Sequence, residues 1–177
     1  MLQNCIEKKV PLKLTAVPNV LHTNVSLAPL TSFRVGGVAE WYAAPRRIED
    51  LKACLDWATL EELPITMLGA GSNLLISDRG LSGLVLSTRH LQGAQFDPLT
   101  GQVTVMAGEP LPRLAWEAAR RGWTGLEWAA GIPGTVGGAV VMNAGAQGSC
   151  TADTLLQTQV LSRTGSHRLN REDLHYG

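Results

Sequence analysis

Two stretches of the chain have residue types and spacing that suit ligand chemistry. The first is "LGAGSNLL" (68–75), in which Gly69 and Gly71 flank Ala70 directly after an apolar run, and Ser72 and Asn73 add polar groups. Unhindered N–H groups in such a turn form a concavity for phosphate oxygens, with the serine hydroxyl as a further donor. It is not the GxGxxG dinucleotide fingerprint, because Leu74 stands at the third glycine position. Nor is it GxSxG, because Ala70 and Leu74 replace both glycines, which leaves Ser72 a poor nucleophile. Read alone, an ordinary tight turn is the plainer account. The second stretch is "GIPGTVGGAVVMNAGAQG" (131–148), with six glycines, one proline and no charged side chain.

In that second stretch Ile132-Pro133-Gly134 reads as a rigid turn, and Gly134 to Val141 as the opening of a short helix with outward-facing N–H groups. Gly137 and Gly138 each cost roughly 1 kcal/mol relative to alanine inside a helix. Either a flat ring or a pyrophosphate approaches the backbone closely there, or the helix packs tightly on a sheet, and this block alone does not separate the two. The pairing of two glycine motifs in separate lobes favours a ligand: together they would close on one extended dinucleotide from opposite sides. A third segment, "LTSFRVGGVAEW" (30–41), has Ser32 and Arg34 in reach of an anion, although a loop with a surface arginine is the plainer account. Trp128 reads as core and Glu127 as a solvated carboxylate.

These stretches need elements to position them. "EWYAAP" (40–45) reads as a strand ended by proline, and "RRIEDLKACLDWATLEE" (46–62) as a helix with Ile48, Leu51, Leu55 and Ala58 on one face. "PITMLGAG" (64–71) reads as a buried strand running into a glycine turn, with "NLLISD" (73–78) and "GLVLST" (83–88) as two more short strands. "GAQFDPLTGQVTVMAGE" (93–109) predicts a hairpin turning at Asp97, Pro98, Thr100 and Gly101, and "LPRLAWEAARRG" (111–122) an amphipathic helix stopped by Gly122. "TLLQTQVLSRTGSHRLN" (154–170) predicts two strands about a Thr-Gly turn. The expected organisation is α+β: a loosely attached arm over 1–26, where Pro11 and Pro18 break any element, one lobe over 27–90 and a second over 91–177.

Composition narrows the classes. Fifteen basic and fifteen acidic residues give zero formal charge with no long run of one sign, which argues against a nucleic-acid surface. Cys5, Cys54 and Cys150 are widely spaced and form no CxxC pair, and the histidines have no metal-ligand spacing, so no disulfide framework and no metal are expected. No GxxxxGK[ST] occurs. The N-terminal residues carry no signal-peptide core and no stretch approaches a membrane span, which predicts a cytoplasmic protein with no membrane partner.

Taken together, "LTSFRVGG", "LGAGSNLLISDRGLSGLVL", "GLEWAAGIPGTVGGAVVMNAGA" and "REDLHYG" resemble, in order and spacing from about Leu27 to Gly177, the UDP-N-acetylenolpyruvoylglucosamine reductase (UDP-N-acetylmuramate dehydrogenase) family. The resemblance implies a two-lobed FAD-binding fold of the vanillyl-alcohol oxidase and p-cresol methylhydroxylase type. It implies FAD as cofactor, NADPH as reductant and a UDP-sugar enolpyruvate as substrate, in peptidoglycan synthesis and, through it, cell shape and division. It also implies that Gly69, Ala70, Gly71, Ser72, Asn73 and Leu74 cradle the pyrophosphate. Gly131, Ile132, Pro133, Gly134, Thr135, Gly137, Gly138, Ala139, Asn143, Ala144 and Gly145 would then line the rest of the cleft. The family's substrate arginine, its proton-donating serine or cysteine and its late glutamate are expected beyond Gly177, with the substrate domain. On that expectation this chain is the FAD-binding part of a longer enzyme, not competent alone. A non-catalytic flavin-binding module, or the flavin subunit of another oxidoreductase of the same superfamily, is the competing reading.

Overall fold

A computed structural model describes residues 20–162 and 165–176. Its central element is a four-stranded sheet. The strands are β1 (Leu21–Ser26), β2 (Val38–Ala43), β3 (Ile65–Leu68) and β4 (Leu81–Ser87), in spatial order β1-β2-β4-β3. Strands β2, β3 and β4 run parallel, and β1 closes the edge antiparallel to β2. Helix α1 (Ile48–Leu60) makes the β2-to-β3 crossover and buries Leu51, Cys54 and Ala58 against Ala43, Leu84, Leu86 and Leu91. Trp41 and Trp57 meet edge to face at 5.1 Å on the border of this core. The other face of the sheet packs Ala39, Tyr42, Leu68 and Val85 with Leu27 and Ile76. With both faces covered, β4 reads as the continuous apolar run expected of an interior parallel strand.

Beyond β4 come the hairpin β5 (Ala94–Asp97) and β6 (Gln102–Val105) and helix α2 (Leu111–Arg120). A 3₁₀ turn (Glu127–Gly131) and helix α3 (Val136–Met142) follow. Leu111, Ala115, Trp128, Ala129 and Ala139 form a third core between them. The short pair β7 (Gly145–Ala146) and β8 (Ser149–Cys150), helix α4 (Thr151–Thr154) and the hairpin β9 (Gln157–Ser162) with β10 (Gly165–Asn170) complete the described chain.

Two expectations are corrected. Leu21–Ser26 does not belong to a loose arm: it is a sheet strand, registered Leu21 to Ala43 and Ser26 to Val38. Its exposed His22, Thr23 and Asn24 gave no apolar alternation, and its order comes from its partner. The "NLLISD" segment is not a strand. It is irregular, with Leu75 76% exposed and only Ile76 buried, held by the Gly37 N–H donating to Ser77 O at 2.9 Å. The expected arm over residues 1–19 and the Thr164 half of the Thr-Gly turn lie outside the described residues.

Candidate functional site

The glycine turn begins where β3 ends, at the carboxyl edge of the parallel strands, the usual ligand side of such sheets. Gly71 takes φ +72°, and a Cβ there would lie 2.3 Å from Leu30 O, so only glycine fits. The Ser32 N–H donates to Gly71 O at 3.1 Å, which ties the 30–37 loop beneath the turn. Thr31, buried, braces that loop through its hydroxyl to Ala28 O. Ser32 and Arg34 are both exposed residues of that loop. From Gly69 through Asn73, no acceptor among the described residues meets the backbone N–H groups, and Ser72 and Asn73 form a turn. Ala70 and Asn73 are exposed and Gly69 and Ser72 half-buried. Beside the turn, Val35, Leu75, Ile76, Ser77 and Asp78 line an open recess of about 610 Å³.

The second glycine stretch meets the first. A Cβ on Gly69 would lie 2.6 Å from Thr135 Oγ1, and one on Gly134 would lie 4.0 Å from Ser72 Oγ. Thr135 is buried and caps α3, its hydroxyl accepting from the Gly138 N–H at 3.3 Å. The N–H groups at the head of α3 are not outward-facing and open, as expected from the sequence. Val136 N–H donates to Glu109 O, Gly137 N–H to Ala107 O and Ala139 N–H to Thr135 O, at 2.8 to 2.9 Å. Open donors lie one step earlier, at Gly134 and Thr135, where no acceptor among the described residues meets the N–H.

The glycines of this stretch therefore divide. An added Cβ would meet nothing within 4 Å at Gly131 and only the Thr135 hydroxyl, at 3.4 Å, at Gly138. Gly137 instead packs on Ala107, whose Cβ a new methyl would meet at 2.9 Å, and Gly145 packs on Cys150. Ile132 and Pro133 carry the chain from the 3₁₀ turn to Gly134, half-buried and exposed respectively. Asn143, at φ +44°, ends α3, and its Oδ1 accepts from Ala152 N–H at 3.0 Å. Ala144 accepts from the Thr151 hydroxyl, and Ala139 is core. The sequence marked the two glycine segments that meet here and did not separate glycines in tight packing from those with open surroundings. Trp128 is core, its indole N–H on Gly125 O at 3.1 Å, and exposed Glu127 accepts from Gly125 N–H, both as read.

Three contributors were not visible in the sequence. Buried Glu109 accepts from Gly93 N–H at 2.9 Å and pairs with Arg113 at 3.4 Å, fixing the segment that holds α3. Tyr176 donates its hydroxyl to Val140 O at 2.6 Å, and burial, with Cys150 nearby, raises its pKa above the ordinary phenol value. Arg89, just after β4, donates to Leu30 O at 3.3 Å while its buried Nε has no partner among the described residues. No local pattern marks any of the three, since each acts on a segment distant in sequence.

A family model described as an FAD binding domain matches residues 39–169. The chain is 64% identical over 142 residues to the UDP-N-acetylenolpyruvoylglucosamine reductase of Acaryochloris marina, covering 80% of this chain and 46% of that one. Among solved structures it is similar to the reductase of that name from Thermus caldophilus, at 41% identity and a TM-score of 0.70, covering 87% of this chain and 54% of the other. It also superposes on an alkyldihydroxyacetonephosphate synthase at 17% identity and a TM-score of 0.64, covering 93% and 34%, a likeness of fold alone. The chain spans about half the length of the curated relatives it matches. Its fold is the FAD-binding fold of the vanillyl-alcohol oxidase type, as the motifs implied.

Proposed function

The chain belongs to the FAD binding domain family, and from that premise we propose that it forms the cofactor-holding part of a reductase acting on a UDP-sugar enolpyruvate. The single observation that carries the reading is the meeting of two bare-backbone segments, one against the other at Gly69 and Thr135. The residues fit the cofactor. A run of N–H groups from Gly69 to Asn73 with no acceptor among the described residues suits a diphosphate, and the sparsely covered backbone at Gly131, Gly134 and Gly138 suits a flat ring. When bound, FAD supplies hydride transfer between NADPH and the enolpyruvyl double bond.

This chain's own residues would bind and orient it. The 69–75 turn holds the diphosphate in register, and the apolar stretch 131–145 keeps charge and water from the ring. Asn143, Ala144 and Gly145 are assigned to shaping that wall, with Ile132 and Pro133 at its entrance. The 27–90 and 91–177 segments act as the two jaws. No proton-donating or substrate-binding residue is assigned here. We further propose that this activity serves peptidoglycan precursor synthesis in the cytosol.

The test is direct. The purified chain, titrated with FAD, is expected to quench flavin fluorescence with a one-to-one stoichiometry and to gain thermal stability by mass action. Unchanged fluorescence and an unchanged melting temperature at saturating FAD would remove the proposal. The competing flavin-module reading predicts the same binding, and NADPH oxidation assayed with the UDP-sugar enolpyruvate on a protein of the relatives' full length that carries this chain separates them. Turnover dependent on the UDP-sugar favours the reductase, and its absence in an FAD-loaded protein favours the module.

A further inference from the structure

Among the buried side-chain nitrogens and oxygens of the described residues, two lack a hydrogen-bond partner: Ser87 Oγ and Arg89 Nε. Both lie at the carboxyl end of β4, whose last residue, Ser87, stands opposite Leu68, the residue before the glycine turn. Ser87 is wholly enclosed, and a hydroxyl can turn toward any nearby lone pair. Arg89 differs, because it carries a full positive charge that it cannot lose. It is half-buried, and no carboxylate of the described residues lies within salt-bridge distance of it. Its one hydrogen bond runs from Nη2 to Leu30 O at 3.3 Å.

That carbonyl fixes where the charge sits. Leu30 O is the atom a Cβ on Gly71 would strike at 2.3 Å, so the guanidinium and the glycine turn rest on the same oxygen. Thr88 N–H donates to Leu68 O at 2.9 Å, which locks the segment carrying Arg89 to the segment carrying the turn. The positive field at this edge is felt by a neighbour: His90 titrates below the ordinary histidine value, through burial first and then through Arg46 and Arg89. A desolvated cation with an unmet donor is costly unless an anion joins it, and a buried unsatisfied N–H alone costs about 1–3 kcal/mol. The open backbone donors of Gly69 to Asn73, on the turn that shares the Leu30 carbonyl with Arg89, call for the same kind of partner.

We propose that Arg89 supplies the cationic contact that holds the diphosphate of a dinucleotide on the 69–75 turn. The inference rests on the reading of that turn as the diphosphate seat, and it adds a charge from β4 that the glycine motif does not contain. The guanidinium accounts for affinity that backbone N–H groups cannot provide alone, since hydrogen bonds to a charged group are roughly twice as strong as neutral ones.

The full chain is titrated with FAD and, separately, with riboflavin, which shares the ring and lacks the phosphates. In Arg89→Met the FAD dissociation constant is expected to rise roughly ten- to hundredfold, by loss of one charge-assisted contact. Riboflavin affinity and the apo melting temperature should stay as in wild type, and Arg89→Lys should recover part of the FAD affinity. The wild-type FAD affinity should fall with added sodium chloride more steeply than that of the methionine variant. If wild type binds FAD and Arg89→Met binds it equally well, the inference about Arg89 is overturned while the reading of the turn stands. If FAD and riboflavin weaken equally, Arg89 only braces the 30–32 loop, and the inference is again overturned. If wild type binds neither flavin, the reading of the turn and the inference fall together.

Discussion

Gly69 and Thr135 stand where the two glycine segments touch, so close that a Cβ on Gly69 would lie 2.6 Å from Thr135 Oγ1. The same hydroxyl caps α3 by accepting from Gly138 N–H. The contact therefore joins the end of β3 to the start of the second wall, and the width of the cleft depends on it. Gly69→Ala is expected to push Thr135 off its cap and cost about 2 kcal/mol by overpacking. That is a fall of about 4–8 °C in melting temperature for a chain of this size. Thr135→Ala alone costs about 1 kcal/mol as a lost N-cap. In the double variant the methyl has room, so the combined loss should be smaller than the sum by about 1 kcal/mol, measured as a double-mutant cycle. Strict additivity would show that the two residues do not touch.

Tyr176 and Val140 make a second long-range tie, 2.6 Å from hydroxyl to carbonyl. Tyr176→Phe keeps the ring and loses the donor, leaving the Val140 carbonyl without that partner at the end of a helix of only two turns. About 1 kcal/mol of stability should go, or 2–4 °C. Hydrogen exchange at Val140 to Asn143 should quicken more than in the β2–β4 sheet; uniform quickening would count against a local role.

Much of the fold is legible because its elements carry their own period. Helix α1 was expected over 46–62 and spans Ile48–Leu60, and α2 was expected over 111–122 and spans Leu111–Arg120. The Asp97-to-Gly101 turn is where it was placed. What the residues could not convey is long-range. β1 is an edge strand made by pairing with β2, and its own residues are mostly polar and exposed. Leu74 and Leu75 are apolar yet exposed, so an apolar run there mimicked a strand. The N–H groups at the head of α3 looked open in sequence because their acceptors, Ala107 and Glu109, come from a segment nearly thirty residues earlier. Composition marked the glycine segments, and tertiary contact decided which glycine is packed and which is open.

Cys54 gives the pH dependence a sign. Burial pushes its thiol up to about 11 from an ordinary 9.0, with Asp50 adding to the effect. In the unfolded chain the thiol ionises near 9, so between about pH 9 and 11 the unfolded state holds fewer protons than the folded one. Stability is then fully present below pH 9 and declines as pH rises through 11. Urea midpoints should fall above pH 9, less so in Cys54→Ala after its own cavity loss is subtracted. Cys150, half-buried, should react with a thiol reagent at pH 8 while Cys54 stays protected until the chain unfolds. Equal rates for the two thiols would contradict the burial of Cys54.

Gly137 and Gly138 are neighbours with opposite surroundings, and they separate wall from cleft in one experiment. A Cβ on Gly137 would meet Ala107 Cβ at 2.9 Å and Ala107 O at 3.0 Å, whereas one on Gly138 meets only Thr135 Oγ1 at 3.4 Å. Gly137→Ala should therefore lower stability by about 1–3 kcal/mol, because neither backbone can give. Gly138→Ala sits at an exposed helix position where the new methyl meets only the Thr135 hydroxyl, so stability should hold or rise by up to about 1 kcal/mol. If the flavin ring lies against this backbone, Gly138→Ala should weaken FAD binding at least tenfold despite its unimpaired fold. Stability is read by urea titration of the apo chain and affinity by flavin fluorescence. A Gly138→Ala chain that is stable and binds FAD at the wild-type level would place the ring elsewhere, and the open backbone at Gly131 and Gly134 would become the next surface to probe.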